Sequence, residues 1–307
     1  MRVLVTGAGG YLGRAVVSEL AAAGHEPVAM THTPGREIPG ATETQVAELT
    51  DADAIRQAVT GADMVIHLAG LTRVRESLTD PMRFFRVNTG GTITLLDAMA
   101  AAGVPRMVFS STCSVYGSPE RQPMTEDLPD APPHPYASSK LAAELAVAAQ
   151  AQGGTLGAIV LRLPNLAGGD DRDPTRLIPR ALDAAVHQTD LGVHGDGTAV
   201  RDYLHLRDAA TAFVACVDYE PAVGTCTRYN VGSGRGTSVL DVVAAVERVT
   251  GLRVSVEHKP AVTESPKLIN DSTRFRAELG WIPRRSDIAT IIRDTWAAAA
   301  AEHRRHH

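Results

Sequence analysis

The sequence of 307 residues has little of several things, and each shortage excludes a class of protein. Three scattered cysteines, Cys113, Cys216 and Cys226, are too few for a disulfide framework or a zinc site. No apolar run reaches the length of a membrane-spanning helix. A formal net charge of -5 gives no general attraction to nucleic acid or anionic membrane. We therefore expect a small-molecule partner, and no nucleic acid, membrane or metal.

A secretion signal is also missing from the start of the chain. Met1 and Arg2 lead directly into Val3-Leu4-Val5, without a charged region, an apolar core and a cleavage site. We expect a cytoplasmic protein, which agrees with the scarcity of cysteine. The histidines and arginines of residues 303–307 are expected to form a solvated end.

Short β-branched runs alternate with longer amphipathic segments through the first half of the chain. Predicted strands are Val3–Thr6, Pro27–Thr31, Met64–Leu68 and Met107–Ser110, with helices over Leu12–Ala23 and Pro81–Ala102. A crossover between parallel strands needs a dozen residues or more, and these helical segments supply them. The pattern predicts a Rossmann-like α/β fold with a doubly wound parallel sheet.

The loop after the first predicted strand is rich in glycine and reads TGAGGYLG. In its Gly7-x-x-Gly10-x-x-Gly13 spacing, the first glycine permits a tight turn and the second lets backbone approach a pyrophosphate. The third lets the helix pack closely on the strand. Because the loop follows a strand and opens a helix, it predicts dinucleotide binding, with Tyr11 and Leu12 at the helix start.

The choice between NAD and NADP depends on the end of the second strand. Dinucleotide sites usually have a carboxylate there for the ribose 2′-hydroxyl, but this sequence reads Met30-Thr31-His32-Thr33. We predict NAD, with Thr31 and Arg36 as contacts. His32 and Arg36 leave NADP open, since arginine pairs well with a phosphate.

Other predicted cofactor contacts lie at later strand ends and on the long helix. They are Glu48, Leu49, Leu68, Ala69, Gly70, Asn88 and Ser110. A solvated role is an open alternative for Glu48. His67 lies at the end of a strand, directly before Leu68. We interpret it as a hydrogen-bonded structural histidine rather than a catalytic one.

From about Asn165 onward, loops rich in Gly, Asp and Pro become frequent. We predict a dinucleotide-binding domain over residues 1–164 and a smaller C-terminal substrate-binding lobe over residues 165–307. Strand-like runs at Ala158–Leu163 and Thr227–Val231 favour extension of the first sheet. The segment 204–232 is therefore predicted to return to it.

Tyr136 and Lys140 are four residues apart, so a helix places them on one face. A phenol with a pKa of about 10 is a poor base at neutral pH, but a nearby ammonium and a positive nicotinamide favour its ionised form. Thr112 follows a predicted strand and could share a proton with Tyr136, or its hydroxyl could satisfy the local backbone. Cys113 is interpreted as a small buried side chain rather than a nucleophile.

These segments together resemble the extended short-chain dehydrogenase/reductase family, and within it the nucleotide-sugar 4-epimerases acting on UDP-glucose, UDP-galactose or UDP-glucuronate. The resemblance covers essentially the whole chain. The matching blocks are Thr6 to Gly13, His67 to Gly70, Asn88 to Thr92, Ser110 to Gly117, Pro135 to Lys140, Leu161 to Asn165, Gly195 to His205, Tyr229 to Gly234 and Leu279 to Trp281.

The resemblance implies a role for each matching polar position. Thr112, Tyr136 and Lys140 would form the catalytic triad of an NAD-dependent 4-epimerase. The implied substrate contacts are Thr72, Thr112, Cys113, Ser114, Asn165, Arg172 and Arg201. Arg201 would hold the diphosphate of a UDP-linked sugar, and Arg172 would meet a C5 carboxylate unless neighbouring aspartates pair with it. Relatives commonly form homodimers, and we expect the same here.

Departures from the family pattern keep two other functions open. The stretch Lys259 to Glu264 lacks the arginine that usually precedes Gly-Asp, leaving Lys259 or Lys267 as a substitute phosphate contact. Cys113 and Ser114 stand where 4,6-dehydratases have an acidic pair, which disfavours dehydration. The alternatives to epimerisation are an NADPH-dependent reductase of a nucleotide 4-keto sugar and a catalytically silent dinucleotide sensor.

Overall fold

The structure is a computed structural model that describes residues 1–262 and 265–303. Thr263 and Glu264, within the stretch that departs from the family pattern, lie outside the described residues, as does the expected solvated end from Arg304 to His307. Within the described chain, no helix is both long and apolar enough to cross a membrane.

Strands and helices alternate along the first two thirds of the chain. The strands are β1 (Arg2–Thr6), β2 (Glu26–Thr31), β3 (Glu43–Val46), β4 (Met64–His67), β5 (Arg106–Thr112), β6 (Gly157–Leu163), β7 (Asn165–Ala167), β8 (Asp190–His194), β9 (Val200–His205), β10 (Cys226–Asn230), β11 (Gly236–Ser238), β12 (Ser255–Lys259) and β13 (Lys267–Leu268). The helices are α1 (Tyr11–Ala22), α2 (Ala52–Val59), α3 (Val74–Thr79), α4 (Pro81–Phe84), α5 (Gly91–Ala102), α6 (Pro135–Gln152), α7 (Leu177–His187), α8 (Leu206–Tyr219), α9 (Val239–Thr250), α10 (Thr273–Leu279) and α11 (Ile288–His303).

Seven parallel strands form the central sheet, in the order β10-β6-β5-β4-β1-β2-β3. Strand order runs outward in both directions from the β1–β4 pair, where Thr6 lies beside His67. Ligands of open α/β sheets bind where the order reverses, at the carboxyl ends of the strands. The predicted doubly wound fold is confirmed, and its crevice opens between β1 and β4.

Both faces of the sheet are covered, which explains why its central strands are apolar throughout. Val3 and Val5 of β1 pack into one core with α1 and α8, whereas Leu4 packs into the opposite core with α2 and α5. Alternate side chains of a strand point to opposite faces, so one strand serves both cores.

The predicted long helix from Pro81 to Ala102 differs in detail. Between α4 and α5 the chain forms a π-helical turn, Phe85–Gly90. Within it, Asn88 reaches sideways to the backbone of Leu71, at 2.7 and 3.0 Å, and to Ser139, at 2.9 Å. Turns of this kind often mark functional sites.

Smaller sheets build the remainder of the chain. One contains β11, β9, β13 and β7, and the other pairs β12 with β8. Helices α7, α9 and α11 contribute to the apolar cluster beside them. Strand β10 returns to the central sheet beside β6, and α8 packs against α1. The first core therefore includes residues far along the chain.

Candidate active site

The glycine-rich loop lies at the carboxyl end of β1 and is packed too closely for side chains. Gly7 has φ +69°, and a Cβ there would lie 2.8 Å from the Ala69 nitrogen. A Cβ at Gly13 would lie 2.2 Å from the Gly7 oxygen. Helix α1 then begins without a side-chain cap, so its first amide groups can donate to a phosphate. This cradle fits a dinucleotide pyrophosphate.

Arg36 lies against the outer side of the same loop. Its Cδ and Nη1 are 3.6 and 3.7 Å from the Cβ position of Gly9, and Thr31 Oγ1 is 3.1 Å from it. Thr31 is buried and accepts a hydrogen bond from the Thr33 amide at 3.2 Å. Thr31 and Arg36, which the sequence proposed together, are therefore brought to one edge of the loop.

Glu48 and Leu49, two of the predicted cofactor contacts, have different environments. Glu48 is exposed. Leu49 is buried, and its Cγ lies 2.5 Å from the Cβ position of Gly91 at the start of α5. Its side chain thus packs between the helix and the sheet, which a sequence pattern does not show.

His67 connects the two central strands and α5. Its Nδ1 lies 2.7 Å from Thr6 Oγ1, and its Nε2 lies 3.0 Å from Thr92 Oγ1. Burial, aided by the positive charge of Lys140, lowers the pKa of His67 to about 3. A neutral imidazole with both nitrogens engaged is a structural residue, so that interpretation is confirmed.

We expect acid to destabilise the fold through His67. Its folded pKa of about 3 lies below the unfolded value of about 6.5, so the unfolded chain binds the extra proton as the pH falls. Stability is complete above about pH 6.5 and falls by about 2 kcal/mol at pH 5 from this residue alone. Urea unfolding of wild type and of His67→Gln, each measured at pH 5 and at a pH above 6.5, gives the loss of unfolding free energy.

The matched control is His258→Gln, because His258 is exposed. The control should keep the wild-type difference between the two pH values, and His67→Gln should reduce it. An undiminished difference in His67→Gln would refute the assignment, whatever the absolute stability of the variant.

Asn88 holds the loop after β4 in place. A Cβ at Gly70 would lie 2.8 Å from Asn88 Oδ1 and 4.0 Å from Lys140 Nζ. Leu68 and Ala69 of this loop donate their amides to Thr6 Oγ1, each at 3.2 Å. The predicted contacts Leu68, Ala69, Gly70 and Asn88 therefore come together beside the glycine-rich loop. The amide of Asn88 is already engaged by protein, which indicates a positioning role.

Helix α6 carries the predicted base into this crevice. His134 caps the helix, accepting a hydrogen bond from the Ala137 amide at 3.2 Å, and Pro135 occupies the first turn. The His134 ring also stacks on Tyr136, with centroids 5.8 Å apart. Phe84 meets Tyr136 edge-on at 6.4 Å. The tyrosine ring is thereby fixed on two sides.

Burial dominates the ionisation of both Tyr136 and Lys140. Burial raises the pKa of its hydroxyl to about 12, and polar interaction with the Thr112 side chain opposes this rise. Burial lowers the pKa of Lys140 to about 8, against the opposing effect of the Glu144 carboxylate. Desolvation therefore opposes the ionised phenol in the protein by itself, and the expectation that an ammonium and a positive nicotinamide together favour it stays a prediction.

Lys140 is directed at the cofactor side of the crevice. Its Nζ lies 4.3 Å from the centroid of the Phe109 ring. It is also close to Gly70, and its side chain is buried. Ser110 continues β5 beyond Phe109, pairing with Leu161 of β6. Lys140 therefore lies beside the loop that packs on the glycine-rich loop, whereas the contact of Ser110 with the cofactor stays a prediction.

A buried ion-pair network next to the triad was missed from the sequence. Arg162 Nη2 lies 2.6 Å from Glu144 Oε2, and its Nη1 lies 2.8 Å from Asp130 Oδ1. The Ser111 hydroxyl donates to Glu144, which fixes the residue next to Thr112. The available signal was the spacing of Tyr136, Lys140 and Glu144, four residues apart along one helix.

Arg176 is a second residue that sequence reasoning missed. Its guanidinium lies 4.9 Å from the centroid of the Tyr11 ring, and its charge lowers the pKa of Tyr136. The Tyr11 hydroxyl donates to the Gly168 oxygen. Tyr11 and Arg176 thus connect the glycine-rich loop to the segment after β7, at the mouth of the crevice.

The predicted substrate residues have different environments. Thr112 Oγ1 accepts from the Ser114 amide and donates to the Ser114 hydroxyl, each at 3.2 Å. Cys113 is buried, as predicted, and burial raises the pKa of its thiol to about 12. Thr72 and Asn165 are exposed.

Two arginines were assigned to the substrate from the resemblance. Arg201, on β9, donates to the Val200 oxygen at 2.9 Å, and its charge lowers the pKa of Cys113. Arg201 is therefore near Cys113, at the end of β5. Arg172 is exposed and forms an ion pair with Asp170, the alternative that the neighbouring aspartates suggested.

Residues 3–232, which include the whole crevice from Gly7 to Arg201, match the NAD dependent epimerase/dehydratase family. The chain belongs to this family. A UDP-glucose 4-epimerase of Corynebacterium glutamicum is 36% identical over 319 residues, covering 98% of this chain and 96% of the relative.

Solved structures of the family agree over the whole length. A UDP-glucose-4-epimerase of Stenotrophomonas maltophila, with bound NAD and formylated UDP-arabinopyranose, has a TM-score of 0.92 and 31% identity, covering 99% of both chains. MoeE5, in complex with UDP-glucuronic acid and NAD, has a TM-score of 0.91 and 28% identity, covering 98% of this chain and all of its own.

Proposed function

We propose that this family member is an NAD-dependent UDP-sugar 4-epimerase, which inverts C4 of a UDP-hexose through a transient 4-keto sugar. One observation carries the proposal: Lys140, on the helix that also carries Tyr136, places its Nζ 4.0 Å from the Cβ position of Gly70, in the loop that packs against Gly7. The relatives named UDP-glucose 4-epimerase support the same reaction.

Each member of the triad has a role that its surroundings support. Tyr136 takes the proton from the C4 hydroxyl and returns it after the sugar has presented its other face. Thr112 hydrogen-bonds the same oxygen. Lys140, four residues after Tyr136 on the same helix, binds the cofactor on the side of Gly70. NAD, when bound, supplies a reversible hydride acceptor and a second positive charge.

Gly7, Gly10 and Gly13, with the start of α1, form the proposed site for the pyrophosphate. Tyr11, Leu12, Thr31 and Arg36 surround it. NAD is the cofactor found in the neighbouring structures. Arg36 at the loop edge favours the second candidate, an NADPH-dependent reductase of a 4-keto sugar, because its guanidinium suits a 2′-phosphate.

The surroundings of Arg172 bear on which group the sugar substrate carries at C5. The UDP-glucuronic acid of one neighbouring structure makes a uronate substrate reasonable. In this chain a C5 carboxylate would compete with Asp170 for Arg172. We therefore propose UDP-glucose and UDP-galactose as better substrates than UDP-glucuronate. In this proposal Arg201 binds the diphosphate and Asn165 lies near the sugar.

The proposal also includes a homodimer and separate segments for cofactor and substrate binding. Ile93 on α5 and Leu145 on α6 are 45% and 56% exposed, which supports pairing through these helices. Residues 1–164, joined by 204–232, would bind NAD. The rest of 165–307 would form the substrate lobe of this cytoplasmic enzyme.

The test uses UDP-glucose that carries deuterium at C4, with purified protein and no added cofactor. An epimerase yields UDP-galactose that keeps its deuterium at C4, because the hydride returns to the carbon it left. UDP-glucuronate, run in parallel, tests the C5 preference. Chromatography with mass spectrometry follows the products, and the absorbance of reduced nicotinamide is recorded throughout.

A parallel assay, in which NADPH and a nucleotide 4-keto sugar are added, separates the alternatives. Stoichiometric loss of added NADPH with a nucleotide 4-keto sugar would establish the reductase instead. No turnover of any UDP-sugar by folded, NAD-containing protein would leave the dinucleotide sensor as the explanation. Loss of the C4 deuterium to solvent would exclude hydride return.

A further inference from the structure

A cavity of about 520 Å³ lies outside the proposed catalytic crevice. It is enclosed by the loop after β10, by α10 and by the loop that follows Trp281. The predicted catalytic and cofactor residues do not line it. Its volume exceeds that of a phosphate ion and falls within the range of small-molecule sites, about 300–1,000 Å³.

Three arginines line this cavity: Arg235, Arg276 and Arg284. Among the described residues none of the three forms an ion pair with a carboxylate. Their neighbours outside the cavity do pair, Arg274 with Glu278 at 3.0 Å and Arg285 with Asp294 at 3.6 Å. The wall also contains the carboxylates of Asp271 and Asp287, so three arginines stand against two aspartates and one positive charge is in excess.

Arg276 also has an unsatisfied donor. Its Nη2 donates to the Ser233 oxygen at 3.1 Å, which holds the side chain against the loop after β10. Its Nε is buried without a hydrogen-bond partner in the described chain. A buried donor without a partner is costly, and an anion that accepts from it would remove the cost.

Hydrogen-bond acceptors also line this cavity. Asn270 Oδ1 is buried and has no hydrogen-bond partner among the described residues. Asp271 lies next to it and uses one carboxylate oxygen to accept from the Thr273 amide at 2.8 Å. Amide and carboxylate oxygens accept hydrogen bonds from hydroxyl groups but not from phosphate oxygens. The wall therefore suits a ligand with an anionic end and a hydroxylated end.

We propose that this cavity binds a sugar phosphate. Arg276 and Arg284 hold the phosphate, and Asn270 with Asp271 accept hydrogen bonds from the sugar hydroxyls. The site is separate from the crevice that takes the UDP-sugar and stands whether or not the proposed epimerase reaction is correct.

Isothermal titration calorimetry of the NAD-containing protein tests the proposal, with UDP present so that the catalytic crevice is occupied. The probes are glucose 6-phosphate, inorganic phosphate and glucose. We expect glucose 6-phosphate to bind more tightly than inorganic phosphate, and glucose to show no binding. Arg276→Gln and Arg284→Gln should each lower the affinity for glucose 6-phosphate by about tenfold or more, because each substitution removes a charge-assisted hydrogen bond.

Arg274→Gln is the matched control, since Arg274 is on the same helix but outside the cavity. It should bind glucose 6-phosphate like wild type. Arg284 is exposed, so its substitution does not threaten the fold. No binding of glucose 6-phosphate to wild type, or equal affinity in Arg284→Gln, overturns the proposal. Equal affinity for inorganic phosphate and glucose 6-phosphate overturns the role of Asn270 and Asp271.

Discussion

Tyr136→Phe is expected to lower kcat by about a hundredfold to ten-thousandfold, the usual contribution of a positioned acid–base group. The substitution removes one oxygen atom and leaves the ring between His134 and Phe84. The variant should therefore fold and retain NAD. Initial rates of UDP-galactose formation, with the bound dinucleotide released by denaturation and quantified, give both results.

Tyr219→Phe is the control for this substitution, because Tyr219 is 51% exposed at the end of α8. Its kcat should equal that of wild type. A Tyr136→Phe enzyme with near-normal kcat would contradict the assigned base. Loss of the dinucleotide along with the activity would instead show that Tyr136 acts mainly in cofactor binding.

Gly13→Ala is expected to cost the protein most of its dinucleotide binding. The new methyl carbon would lie 2.2 Å from the Gly7 oxygen and 2.7 Å from Ala8 Cα. Both neighbours are backbone atoms, so rotation of a side chain does not relieve the contact and the loop itself has to move. We expect affinity for NAD to fall by about a hundredfold, equivalent to about 2.7 kcal/mol.

Dinucleotide content after purification and direct titration with NAD measure this effect, and thermal unfolding reports the stability of the variant. Gly90→Ala is the matched control, because the Gly90 methyl position has one neighbour, the Phe85 oxygen at 3.8 Å, and an ordinary helical φ of -61°. Gly90→Ala should keep the wild-type NAD content. A Gly13→Ala protein with full NAD content would show that the loop tolerates the shift.

The predicted secondary structure was accurate where the signal was local. Alternating β-branched and amphipathic segments gave the parallel sheet, and the spacing of Gly7, Gly10 and Gly13 identified a loop that leaves no space for side chains. Tyr136 and Lys140 were placed on one helix face by a four-residue spacing alone. Each of these features depends on residues close together in the chain.

Other features of the site depend on residues far apart in the chain. The Asn88 amide hydrogen-bonds the loop after β4, and Leu49 packs against Gly91. Neither contact was part of the sequence prediction, which assigned both residues to the cofactor. Arg162 and Arg176 gave no sequence signal of their importance, because their partners lie on other elements. Such contacts arise only when the elements pack.

By itself the sequence determined a Rossmann-like sheet, the turn that can hold a pyrophosphate and the helix that carries the tyrosine and lysine. Only the tertiary structure decided the pKa direction of Tyr136, the ion pair of Arg172 and the arginine-lined cavity. The physical reason is that periodicity and glycine spacing act within one segment. Desolvation and charge pairing depend instead on what surrounds a group from every side.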